Sequence, residues 1–185
     1  MKEYSLSGTK RAASGKTAAK QLRAQGLIPC NLISKEGAQS FSVKVEDLRK
    51  LLYTSNVYVV NLDIEGTVTK AILREAQFGP VNDEVLHLDF QKFNPEDDIV
   101  VAIPVKVEGH AAGVKAGGKL VKQVNTLTVK GNYLNIPDRL VVDVTSLELG
   151  KSLCVSDLKY DNLELLTAKS VIVASVKATR ASRGK

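Results

Sequence analysis

The stretch NVYVVNLDIEGTVTKAIL, Asn56–Leu73, decides the fold class. Two β-branched runs, Asn56–Asp63 and Thr67–Leu73, are joined at Glu65-Gly66, the pattern of a β-hairpin. The same period of two recurs on either side. On the N-terminal side, Glu3–Gly8 sets Tyr4, Leu6 and Gly8 against Ser5 and Ser7, and Gln39–Val45 alternates again. On the C-terminal side, Glu84–Phe90 alternates strictly, with Leu86, Leu88 and Phe90 directed inward and His87 and Asp89 outward. Leu27–Ile33 is an apolar run holding Pro29, which predicts an edge strand. Two helices interrupt the strands. One lies between Ser14, a candidate N-cap, and Gly26, a candidate stop, and VEDLRKLL at Val45–Leu52 is short and amphipathic.

Beyond Phe93 the polar segment Asn94-Pro95-Glu96-Asp97-Asp98 reads as a junction. It is followed by short strands at Ile99–Val107, Lys119–Val124, Thr126–Lys130, Leu140–Val144, Ser152–Val155 and Ser170–Lys177, with Gly, Asn and Pro-Asp turns between them. Ser156 is a candidate N-cap for one helical turn. Many short strands at turn-marked intervals imply a sandwich or barrel. The expectation is a mainly β protein: a domain over 1–92, a second all-β domain over 93–177 and a flexible basic tail over 178–185.

The chain has 185 residues and a formal net charge of +6. Residues 1–35 carry seven Lys and Arg against a single acid, Glu3, and residues 177–185 carry four and no acid. The basic excess thus sits at the two ends of a slightly acidic body, an asymmetry that suits a polyanion, nucleic acid above all. Its sharpest local form is the first helix. Lys16, Lys20 and Arg23 fall at i, i+4 and i+7 on one face, preceded by Arg11, while Ala18, Ala19 and Leu22 face elsewhere. No acid stands between Glu3 and Glu36 to neutralise this ridge. A solvated basic face is the ordinary alternative. For His87 and Asp89 the alternatives are an exposed pair without a role, a pair that reads base edges, or an acid–base couple that lacks a recognisable nucleophile.

Other classes find little support. Gly113–Lys119, GVKAGGK, matches part of a phosphate-binding loop. Leu120 stands where a Ser or Thr should ligate magnesium, however, and a strand-like stretch follows where a helix should, so a glycine-rich connection is expected and a nucleotide-dependent enzyme is not. Cys30 and Cys154 have no metal-binding spacing and read as reduced core thiols of a cytosolic protein, and two histidines do not make a metal cluster. The longest apolar run, Ile99–Val105, has 7 residues, whereas a spanning helix needs about 20. The opening MKEYSLSGTK has no apolar signal core. No cofactor, membrane contact or small-molecule substrate is expected.

The spaced set Arg11, Gly15-Lys16, Lys20, Leu22-Arg23, Gly26 and Ile28-Pro29 resembles the opening motif of the bacterial large-subunit ribosomal protein family L twenty-five, and Leu86–Phe90 resembles the end of its RNA-binding domain. Residues 99–173 resemble the second domain of the longer Ctc form, the general stress protein. The matching pieces include Pro104-Val105, Gly113-Val114-Lys115, Gly117-Gly118, Val142-Asp143-Val144 and Val155-Ser156-Asp157-Leu158. The resemblance implies a six-stranded barrel with short helices that binds 5S rRNA as a structural constituent of the large subunit, among other large-subunit components, on cytoplasmic ribosomes. Carried over residue by residue, the RNA face would comprise Arg11, Lys16, Lys20, Gln21, Arg23, Arg74, His87 and Asp89. Arg11, Lys16, Lys20 and Arg23 would meet phosphates, and four such contacts predict a salt slope of about −3 to −4. Ile33-Ser34 stands where the family pattern has Tyr-Gly, Gly79 where it has His, and Arg74 where Gln is common. These departures motivate a second reading, a stress-associated adaptor with weak RNA affinity and a protein-binding C-terminal domain.

Overall fold

The computed structural model describes residues 1–11, 15–160 and 162–179. The chain divides into two compact units, Met1–Asp97 and a second that begins at Asp98.

In the first unit six strands close into a barrel. They are β1 (Lys2–Lys10), β2 (Leu27–Ser34), β3 (Gly37–Lys44), β4 (Tyr58–Ile64), β5 (Thr67–Phe78) and β6 (Val85–Lys92), in the order β1-β3-β2-β6-β5-β4. Closure falls to β1, which runs parallel to β4 from Lys2 to Gly8 and then meets β3 at Thr9 and Lys10. Alternation determines what fills the interior. Leu6, Cys30, Phe41, Val60, Leu62, Ala71, Leu88 and Phe90 are buried in one cluster, and the Phe41 and Phe90 rings meet at 5.8 Å between centroids. Gly8 is required by this packing, since a Cβ there would come within 2.7 Å of the Phe41 ring.

The two expected helices form, α1 at Lys16–Ala24 and α2 at Val45–Leu52. Leu48 and Leu51 of α2 are buried in the barrel core, and the Tyr4 hydroxyl donates to the Asp47 carbonyl at 2.6 Å. Ser14, the expected cap of α1, lies outside the described residues. The residue immediately preceding the helix is Gly15, with φ of 113°.

β2 is not an edge strand, because β3 flanks it on one side and β6 on the other. Pro29 is accommodated because it pairs with Ser42 of β3 one residue before the β2–β6 ladder begins at Cys30 and Leu88. At that point the strand has a partner on one side only, so the missing N–H breaks no ladder bond on the other.

The second unit is all-β apart from short turns of helix. One sheet has the order β10 (Leu140–Asp143), β7 (Asp98–Glu108), β9 (Thr126–Asn132), β12 (Glu164–Leu165). The other is β11 (Ser152–Cys154), β13 (Ile172–Lys177), β8 (Lys119–Lys122). Ile99, Val101, Ile103 and Val105 of β7 are buried while Val100 and Ala102 are exposed, so the apolar run is half-buried rather than buried on both faces. Neither β12 nor a four-residue helix, α3 (Ala112–Lys115), is marked by a sequence pattern. Ser156 is not the cap of its turn. The 3₁₀ turn spans Val155–Asp157 and follows Cys154, whose backbone N–H donates to the Asp157 carboxylate at 3.0 Å. Both cysteines are free, but only Cys30 is a core thiol, as Cys154 is half-buried. Of the expected tail, residues 180–185 lie outside the described residues, and the Thr179 hydroxyl donates to the Gly117 carbonyl at 2.7 Å.

Candidate nucleic-acid interface

Because side chains alternate along each strand, the outer wall of the barrel is as determined by register as its core. Arg11 follows β1 and its backbone N–H donates to Ser40 O at 3.0 Å, while Ser40 pairs with Asn31, Asn31 with Asp89, and Asp89 with Glu75. These residues make one polar row on the outer face. Within it the Ser40 hydroxyl donates to Asn31 Oδ1 at 3.1 Å. His87, two residues before Asp89 on β6, sets Nδ1 3.6 Å from Asp89 Oδ1, with both side chains 21% exposed. That separation is longer than a formed hydrogen bond.

Arg11 and Asp89 both act on Cys30, which lies on the inner face of the same wall. Burial, with a smaller contribution from the Asp89 carboxylate, pushes the Cys30 thiol up to about 12, and the Arg11 guanidinium opposes the shift. Arg11 Nε is buried without a hydrogen-bond partner among the described residues.

The α1 helix rests on β2 through its half-buried Ala18, Ala19 and Leu22. Lys16, Lys20 and Gln21 are exposed. Arg23 departs from the expected ridge. It is half-buried, and its Nε and Nη2 donate to the backbone carbonyl of Leu86 at 3.0 and 2.9 Å. Helical spacing placed Arg23 with the lysines, but the carbonyl at the start of β6 draws it inward. Two of its three guanidinium nitrogens are therefore committed to the barrel, one residue before His87.

Arg74 is the extra residue of a β-bulge, because Leu73 pairs with Phe90 and Glu75 with Asp89. A bulge re-aims the side chain it inserts. Arg74 is exposed, and its Nη1 donates to Gln91 Oε1 at 2.9 Å. Sequence reasoning passed over Asn31 and Ser40. Their signal was available, since both are outward positions of alternating strands, but an apolar run and a serine-rich strand masked it.

The electrostatics of this face are graded. Cations stand on α1, at Arg11 and at Arg74, whereas Asp89 and Glu75 place two carboxylates between them. Phosphates are attracted to the former and repelled by the latter, while a carboxylate accepts hydrogen bonds from base amino groups.

The glycine-rich loop of the second unit is a closed turn. The N–H groups of Gly113, Val114, Lys115, Ala116, Gly117 and Gly118 donate to Leu147, Ala111, Ala111, Ala112, Val114 and Gly113 carbonyls, so none remains to cradle a phosphate. A Cβ on Gly113 would come within 2.5 Å of the Leu149 backbone, which accounts for glycine there by close packing. Among the described residues no three or more His, Cys, Asp or Glu gather to hold a metal ion, and no helix is long and apolar enough to cross a membrane.

A closed barrel with a cationic helix on its wall, joined to a second β unit, defines a two-unit, mainly β protein. Residues 6–90 match the Ribosomal L25p family, and residues 98–180 match the C-terminal domain of ribosomal protein TL5. The large ribosomal subunit protein bL25 of Azobacteroides pseudotrichonymphae is 50% identical over 184 residues, covering 99% of this chain and 97% of the relative. Those of Phocaeicola vulgatus and Porphyromonas gingivalis are 48% and 44% identical, with 100% of this chain and 96% and 97% of the relatives covered. The chain belongs to the bL25 family of bacterial large-subunit ribosomal proteins, in the two-domain form with a TL5-type C-terminal domain. Membership makes it a structural ribosomal protein rather than an enzyme.

Proposed function

We propose that this chain binds 5S rRNA within the large subunit through the outer wall of its barrel. Lys16, Lys20 and Arg11 meet phosphates, and His87 and Asp89 meet base edges in an irregular helix whose widened groove admits side chains. Gln21 and Arg74 flank these contacts. The observation that carries the reading is the placement of α1. Its exposed lysines are free of acidic partners on their own element, and the helix is fastened to β6 one residue before His87.

Filter binding of 5S rRNA across a salt series tests it. With Arg23 committed to Leu86, three phosphate-meeting cations remain, so the slope of log affinity against log salt should be about −2 to −3. A flat response, or equal affinity for an unrelated duplex RNA, contradicts the proposal. Co-sedimentation with large subunits from unstressed cells distinguishes it from the adaptor reading, under which the chain runs mostly free.

A further inference from the structure

α1 is poorly secured by the usual means. It has nine residues, whereas isolated helices shorter than about 12–15 are marginal in water. None of its residues is fully buried, no side chain among the described residues caps its N-terminus, and its first turn holds no acid. Lys16 puts a positive charge at the positive end of the helix dipole. What it does have is Arg23, whose two N–H groups converge on one backbone oxygen 63 residues away in sequence.

We infer that Arg23 is a positioning residue, whose fork onto the Leu86 carbonyl holds α1 against β6 and so presents Lys16 and Lys20 beside His87. The inference rests on the proposed RNA-binding role and assigns the charged residues of one helix different tasks. The two lysines bind, and the arginine places them. Lysine cannot replace it, because an ammonium is a point donor without the planar fork that brings two N–H groups to one acceptor.

The test is a double-mutant cycle in the full chain with Arg23→Lys and Lys20→Gln, read by two measurements. In the free protein, hydrogen exchange of the α1 amides should quicken about tenfold or more in Arg23→Lys while the melting temperature stays near wild type. In 5S rRNA binding, Arg23→Lys should lose about tenfold despite its preserved charge, on the scale of a lost charge-assisted hydrogen bond. Lys20→Gln should then cost less in the Arg23→Lys background than in wild type, because a loosened helix no longer places Lys20.

Unchanged α1 exchange in Arg23→Lys overturns the clamp. Wild-type affinity in Arg23→Lys, or strict additivity with Lys20→Gln, shows Arg23 acting as an independent cation and overturns the positioning role. Failure of the wild-type chain to bind 5S rRNA overturns the proposed function and Arg23's part in it. The exchange arm identifies that case, since it reads the clamp without RNA.

Discussion

The two helices of the barrel unit are nearly equal in length and opposite in construction. α2 buries Leu48 and Leu51, begins with Glu46 and Asp47 and ends with Arg49 and Lys50, so its apolar face and its charges both favour the helix. α1 has no fully buried residue and no acid in its first turn, and its lysines point to solvent. One helix is built into the core, and the other keeps its lysines exposed, as the proposed RNA contact requires. The helix tied to β6 one residue before His87 is thus the one with fewer stabilising features of its own.

The widest separation should come from core truncations. Leu48→Ala removes a buried side chain of the barrel core and should cost about 2–5 kcal/mol in urea unfolding, whereas Leu22→Ala on α1 should cost about 1 kcal/mol. Equal losses would mean that α1 carries as much of the core as α2. The smallest effect should be the most telling in sign. Lys16→Glu puts an acid in the first turn of α1 and should stabilise the helix by about 0.3–1 kcal/mol while weakening 5S rRNA binding. A gain in both, or a loss in both, would break the division between stability and presentation.

Much of this architecture is legible in the residues. The hairpin at Glu65-Gly66, α2 and the outward setting of His87 and Asp89 follow from periodicity, because a period of two or 3.6 is a local property. Barrel closure is not local, and this is why Pro29 suggested an edge. The parallel pairing of β1 with β4 and of β2 with β6 joins segments that share no turn. The bulge at Arg74 likewise depends on how two strands slip past each other. At the site, spacing placed Lys16 and Lys20 correctly on the exposed face. It could not place the Arg23 guanidinium, because the acceptor that draws it away is a main-chain carbonyl, and every residue type carries one. The glycine-rich loop resembled a phosphate cradle for the converse reason, since its amides are consumed by carbonyls that the motif does not mention.

The most direct test of the central claim compares Lys20→Glu with Lys169→Glu, two charge reversals on exposed lysines, one on α1 and one in the second unit. With both variants folded as wild type by melting temperature, Lys20→Glu should weaken 5S rRNA binding by about tenfold or more, equivalent to about 1.4 kcal/mol. Lys169→Glu, an exposed charge on the unit that does not carry the proposed face, should leave binding within about twofold. Equal losses in the two variants would contradict the account, since binding would then follow net charge rather than the face that α1 presents.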